Sequence, residues 1–195
     1  DLNYATTTTG GTPIADLKAI GQSAVTFVMG RSLMGAAEIL AERFSTPAIP
    51  FDQLTGLEGV DRFLHILSKF SGYPVPQKYQ RQRRRVQDAM LDTHFYFGRK
   101  QVAIAAEPDL LYNTAWWLQS TGVEIQAAVT ATKSPLLKHL PTDKVYIGDF
   151  EDFEELAAGA DLWIANSKVR PVARRHGIPL YLHGFPMLDQ LGNGQ

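Results

Sequence analysis

Apolar residues along this chain keep two rhythms in turn. Short continuous runs alternate with longer stretches in which apolar positions recur three and four apart, the patterns of buried strands and one-faced helices. After a polar, Thr- and Gly-rich lead (Thr6 to Gly11), Pro13 suits a first helical turn, and Ile14, Leu17 and Ile20 predict a short helix that Gly21 stops. Ala24 to Met29 predicts a strand ended by Gly30. Ser32 is placed to cap a helix to Arg43, with Leu33, Ala36, Ala37 and Leu40 on one face. Thr46 to Ile49 predicts a second strand, and Pro50, lacking an N–H, bars its continuation as a central strand. A loop over Phe51 to Gly56 leads into a helix from about Gly59 to Phe70, carrying Phe63, Ile66, Leu67 and Phe70 at helical spacing.

Ser71 to Pro76 is the clearest break, because its two prolines and glycine do not fit inside a regular element. A long helix from Gln77 to about Thr93 follows, with Tyr79, Val86 and Met90 on one stripe and Lys78, Arg81, Arg83, Arg84 and Arg85 around the rest. Gly98 opens a further unit. Its pattern predicts strands at Gln101–Ala106, Glu124–Thr130, Val145–Gly148, Leu162–Ala165 and Pro179–Leu182. Between them lie helices over Leu110–Thr121, from an Asp149 cap to near Gly159, and over Pro171–His176. Strands and helices in this order predict an α/β fold: two successive Rossmann-like units with mainly parallel sheets flanked by helices. Residues 1–75 form the first unit, 76–98 a connecting helix and linker, and 99–195 the next unit.

Composition narrows the chemistry. The 195 residues are 45% apolar, enough for a packed core, and 19 basic against 20 acidic residues leave no global field for nucleic acid or an anionic membrane. No apolar run approaches the roughly 18 residues of a membrane span, and Asp1 to Thr9 has no secretory pattern, so the chain reads as cytoplasmic. The absence of cysteine excludes thiolate catalysis and cysteine ligation of zinc or iron–sulfur clusters by these residues. Opening on Asp1 without Met and closing on Gly192 to Gln195, the sequence reads as a cut or processed fragment.

Candidate chemistry is sparse. Ala105 to Asp109 follows the first strand of the later unit, where doubly wound proteins place ligands, but it lacks G-x-G-x-x-G, and Glu107 and Asp109 repel phosphate. A helix cap or partner contact at Asp109 is favoured over nucleotide binding. Asn166 and Ser167 end a later strand, with turn and capping roles favoured over ligand binding. Phe185 and Pro186 belong to a stiff apolar loop that needs a surface to pack on. Glu107, Asp109, Asn166, Ser167, Phe185 and Pro186 are thus the candidate ligand or interface positions; no catalytic, cofactor-binding or metal residue is assigned. His94, beside Phe95, Tyr96 and Phe97, reads as a buried or interface histidine, and His65, His139, His176 and His183 are scattered without metal-site pairing. Arg84 and Asp88, four apart, favour a solvated or interdomain face for the Arg-rich helix. Trp116-Trp117 gives one buried and one outward ring.

Four pieces taken in order carry a family likeness: Arg81 to His94, Gly98 to Asp109, Ala165-Asn166-Ser167, and His183 to Asp189. In order and spacing they resemble the β-type subunits of the nitrogenase component 1 family, over about Thr9 to Asp189. Within it, the likeness is nearest to the scaffold branch on which the iron-molybdenum cofactor is matured. The resemblance implies that residues 1–75 are part of the middle domain and 99–195 the third domain, with the N-terminal domain lacking. In such proteins that domain supplies the β-side cysteine for an intersubunit iron–sulfur cluster, and the α-type partner of a heterotetramer holds most of the maturing cofactor. The resemblance therefore implies no cofactor on this segment and no turnover by it alone, with the iron–sulfur cluster and the iron-molybdenum cofactor precursor belonging to the full assembly. Two other readings stand beside it: the β subunit of a catalytic nitrogenase-type reductase, and an unrelated nucleotide-binding α/β enzyme.

Overall fold

The computed structural model describes residues 12–186. The predicted lead at Thr6 to Gly11, the Met187 to Asp189 end of the His183 piece, and Gly192 to Gln195 lie outside the described residues. The chain divides into two units, with the boundary between Asp52 and Gln53.

In the first unit, helix α1 (Ile14–Lys18) and a 3-10 turn (Ile20–Gln22) lead to β1 (Thr26–Met29). A second 3-10 turn (Arg31–Leu33) enters α2 (Met34–Phe44), and β2 (Ala48–Phe51) runs parallel to β1, Thr26 opposite Ala48 and Met29 opposite Phe51. Ser32 is not the cap of α2: it sits inside the 3-10 turn, and α2 starts without a side-chain cap. β2 also outruns its prediction by two residues. Thr26 N–H donates to Pro47 O and Gly30 N–H to Phe51 O, so residues of Pro50's parity face away from β1, where a missing N–H costs no bond to that strand. Val28, Ala37 and Phe51 form the buried centre, with the Phe27 and Phe51 rings 5.9 Å apart. Arg31 holds Asp52 with two bonds, Nε–Oδ1 at 2.7 Å and Nη2–Oδ2 at 2.9 Å.

The second unit opens with α3 (Leu57–Ser71) and α4 (Gln77–Phe97), and then alternates β3 (Gln101–Ala105), α5 (Pro108–Ser120), β4 (Glu124–Thr130), β5 (Val145–Ile147), α6 (Phe150–Leu156), β6 (Leu162–Ala165), α7 (Arg170–His176) and β7 (Leu180–Leu182). Its five strands are all parallel, in the order β5-β4-β3-β6-β7. The chain therefore winds outward from β3 in both directions, the doubly wound arrangement.

Alternation along the strands builds a core on each face. Ala103, Ala105, Ala127, Val129, Trp163 and Ala165 pack against Phe153, Ala157 and Ala173 on the α6–α7 side. Val102, Ile104, Ile125, Ala128 and Ile164 pack against Leu111, Ala115 and Leu118 of α5. The parity of β4 changes because its register slips between Val102 and Ala103, letting Ile125 and Ala128 share a face. Trp163, fully buried, sets its ring edge-on to Phe153 at 5.2 Å and donates its Nε1–H to Ala157 O at 2.8 Å. Helix α6 starts with a reciprocal cap as expected at Asp149: Asp149 Oδ1 accepts from Glu151 N, and Asp152 Oδ2 accepts from Asp149 N.

Three sequence expectations change. Helix α4 continues four residues past Thr93, so His94 to Phe97 are helical, and His94 is exposed, which removes the buried half of its buried-or-interface reading, while Phe97 is the half-buried residue of that turn. Trp116 and Trp117 are both half-buried. Trp116 bonds His139 O through Nε1, and Trp117 meets Phe97 edge-on, so each ring lies over a neighbour instead of one pointing out. In α4, Arg83 rather than Arg84 takes a carboxylate, that of Asp61 on α3 at 2.8 Å. No helix among the described residues is long and apolar enough to cross a membrane.

Candidate functional site

The parallel sheet ends its strands together, and the chain leaves β3 and β6 toward opposite faces, which opens a crevice between them. Here that crevice is a cavity of about 250 Å³. Its floor is Ala105 and Val129; its rim carries Glu107 after β3, Thr130 and Thr132 after β4, Asp149 before α6, Asn166 after β6, and His183 to Phe185 after β7.

The loop after β7 forms one wall and is fastened by the residues after β6. Asn166 donates from Nδ2 to Phe185 O at 3.3 Å, while its Oδ1 accepts from Lys168 N at 3.0 Å. Ser167, almost fully buried, donates from Oγ to Pro186 O at 2.8 Å. The Phe185–Pro186 bond is cis. Gly184, at φ +86°, turns the loop where a side chain is strained, and an added Cβ would press on Leu110 at 3.3 Å. The Phe185 side chain is left 91% exposed at the crevice mouth.

Of the candidate positions, Glu107, Asn166 and Phe185 line the crevice. Ser167 and Pro186 bond each other at its edge. Asp109 does not line it, nor does it cap α5. The cap position falls on Glu107, Pro108 takes the first helical place, and Asp109 lies in the first turn, where its charge suits the positive end of the helix.

Sequence reading passed over His183 as scattered. In the fold its Nε2 lies 3.0 Å from Thr114 Oγ1, sixty-nine residues away, a contact no local spacing reports. Burial holds the His183 imidazole below its ordinary value of 6.5, and the nearby Glu107 charge opposes this in part. Burial thus favours the neutral form of the ring.

Among the described residues, no lysine or arginine lines the crevice, whereas two carboxylates do. A phosphate would meet repulsion there. Nor does the donor set fit an iron–sulfur cluster or a metal: the chain has no cysteine, and the described residues hold no group of three His, Asp or Glu placed to bind a metal ion. What the crevice presents is a fastened loop with an aromatic ring at its tip.

The model of the nitrogenase component 1 type oxidoreductase family matches residues 1–195. The chain belongs to this family. Among its relatives is the nitrogenase iron-molybdenum cofactor biosynthesis protein NifN of Nostoc sp. strain PCC 7120, 53% identical over 194 residues and covering 100% of this chain. The NifN of Klebsiella pneumoniae is 40% identical over 192 residues, covering 97%. The chain spans 44% and 42% of the lengths of these two proteins. A solved structure described as "Nitrogenase Cp1 at pH 6.5" superposes with a TM-score of 0.87 at 28% identity, covering 97% of this chain and 44% of that one. Membership in the nitrogenase component 1 type family and the α/β fold expected of it both follow, and the β7 loop with its Asn166 and Ser167 fastening lies within the matched span.

Proposed function

We propose that this chain is the middle and third domain portion of a NifN-type scaffold subunit, on which the iron-molybdenum cofactor of nitrogen fixation is assembled. The observation that carries the proposal is the identity of 40–53% to NifN proteins along nearly the whole chain. The site supports it by what it offers: an apolar loop fastened through its main chain, no cysteine thiolate, and a crevice whose carboxylates disfavour phosphates. Such a subunit works in the cytoplasm, paired with a NifE-like α-type subunit in a heterotetramer. Iron–sulfur cluster and cofactor precursor are cargo of that full assembly, and this segment turns nothing over. Glu107, Asp109, Asn166, Ser167, Phe185 and Pro186 serve it as loop-shaping and contact positions.

The experiment is co-purification of the tagged full-length protein with the NifE-like subunit. Stable association at micromolar concentration supports the scaffold reading, and failure to associate sinks it. Isothermal titration of the purified chain with common nucleotides should show no heat; saturable heat would favour the nucleotide-binding alternative instead.

A further inference from the structure

Helix α4 carries a second stripe, on the side turned away from Tyr79, Val86 and Met90. Lys78, Arg81, Arg85, Asp88, Asp92 and Phe95 follow one another at alternating steps of three and four, the spacing of a coiled-coil seam, over about 25 Å at about 1.5 Å per residue. All six are exposed, and the exposed Leu91 and Tyr96 flank the row.

The charges on this seam are unanswered within the chain. Lys78 sits over the Tyr79 ring at 4.7 Å, and Arg81 donates to the Gln77 side-chain oxygen at 3.1 Å. None of the five charged residues pairs with an opposite charge among the described residues. Arg84, one turn before Asp88, bonds Gln80 O at 3.5 Å instead; cation before carboxylate is the weaker order for a helical pair. Nor does the helix dipole explain the arrangement, since it favours acids in the first turn, which holds Lys78 and no acid.

A reversed copy of the same helix does explain it. Laid antiparallel on an identical seam, the row meets itself as Lys78 on Phe95, Arg81 on Asp92 and Arg85 on Asp88, every cation opposite a carboxylate or an aromatic ring. A two-fold axis between Val86 and Gln87 makes each contact twice. A parallel pair would set like charge on like, and a uniformly acidic or basic partner would leave part of the seam facing its own sign.

We propose that α4 is a self-recognition seam, pairing antiparallel with α4 of a second copy of this chain through Arg81–Asp92 and Arg85–Asp88, with Lys78 on Phe95 at each end. Exposed ion pairs are individually weak, so the dimer is weak and salt-sensitive. The proposal does not rest on the scaffold reading, which association with the α-type subunit tests separately.

The test is sedimentation of the purified chain at concentrations raised to millimolar. A monomer–dimer equilibrium is expected, weakening as salt is added. Arg81→Glu with Arg85→Glu makes the seam acidic beyond Lys78, and Asp88→Lys with Asp92→Lys makes it wholly basic. Each double variant should self-associate about tenfold more weakly, with circular dichroism confirming its helix content. An equimolar mixture of the two should dimerise like the unaltered chain, because every reversed charge then meets its opposite. Direction has its own readout. The chain has no cysteine, so a short thiol cross-linker added to mixed Lys78→Cys and Phe95→Cys chains should join one kind to the other and neither to itself. A chain that stays monomeric throughout overturns the proposal, as does a mixture of double variants that fails to dimerise, or cross-linking of like with like. Dimerisation that both double variants leave unchanged and Met90→Glu abolishes would assign the contact to the other face of α4, and also overturns it.

Discussion

The five-stranded sheet and the α3–α4 pair belong to one unit of one chain and handle apolar surface in opposite ways. On the sheet, apolar side chains of both faces close over one another, and Trp163, Ile104 and Leu111 see no solvent. On α4, Val86 is 46% exposed and Phe95 89%. Both regions carry good amphipathic patterns, so pattern alone does not decide burial. The sheet has helices on both faces to complete it, whereas α4 has α3 on one flank and Trp117 at its Phe97 end, and its Val86, Leu91, Phe95 and Tyr96 stay exposed among the described residues. A pattern states what an element needs, and only the fold states whether this chain supplies it.

Substitutions sharpen the contrast. The largest effect is expected from Trp163→Ala, which removes the ring packed on Phe153 and the bond to Ala157 O. It should cost about 3–5 kcal/mol in denaturant unfolding, and a loss below about 1 kcal/mol would mean that the sheet core is looser than described. Ser167→Ala comes next. It removes the Oγ bond to Pro186 O but leaves the backbone bond from Ser167 N, so about 1 kcal/mol is expected, with greater proteolysis of the β7 loop as its local readout.

His183 supplies a pH-dependent test. Its folded pKa is depressed, so its contribution is fully present above the ordinary value of 6.5 and is lost as pH falls through the lower folded value. His183→Gln should flatten the stability profile in that window, and NMR titration of the ring should find its midpoint below 6.5; a midpoint above it would contradict the burial argument. The smallest effect belongs to the other side of the comparison. Val86→Ala in the chain alone should change stability by less than about 0.5 kcal/mol, despite a helical pattern as clear as that of Leu111 or Leu118.

Much of the fold was legible in the sequence because its signals are local. The β4 and β6 segments fall on their predicted bounds, and Asp149 caps α6 as its position before Glu151 and Asp152 implies. Pro50 does bar a central strand, and β2 is an edge of a two-stranded sheet, but the sequence does not show that its missing N–H faces away from β1, so the strand runs two residues past its predicted end. The reading of His94 rests on its aromatic neighbours, yet of these only Phe97 packs against the unit, on Trp117, while Phe95 and Tyr96 are exposed like His94 itself. At the site, Asn166, Ser167 and the β7 loop were each noticed, but their mutual bonds span nineteen residues. The Thr114–His183 pair was invisible for the same reason.

The fastening of the β7 loop separates shape from identity. Asn166 and Ser167 hold Phe185 and Pro186 by main-chain carbonyls, so the bonds that fix the loop do not read the side chain at position 185. The ring at the tip is thus a replaceable part on a standing mount. Exchange at that one position can retune what the loop meets while its backbone bonds persist, giving descendants of this chain a route to new contacts without a new fold.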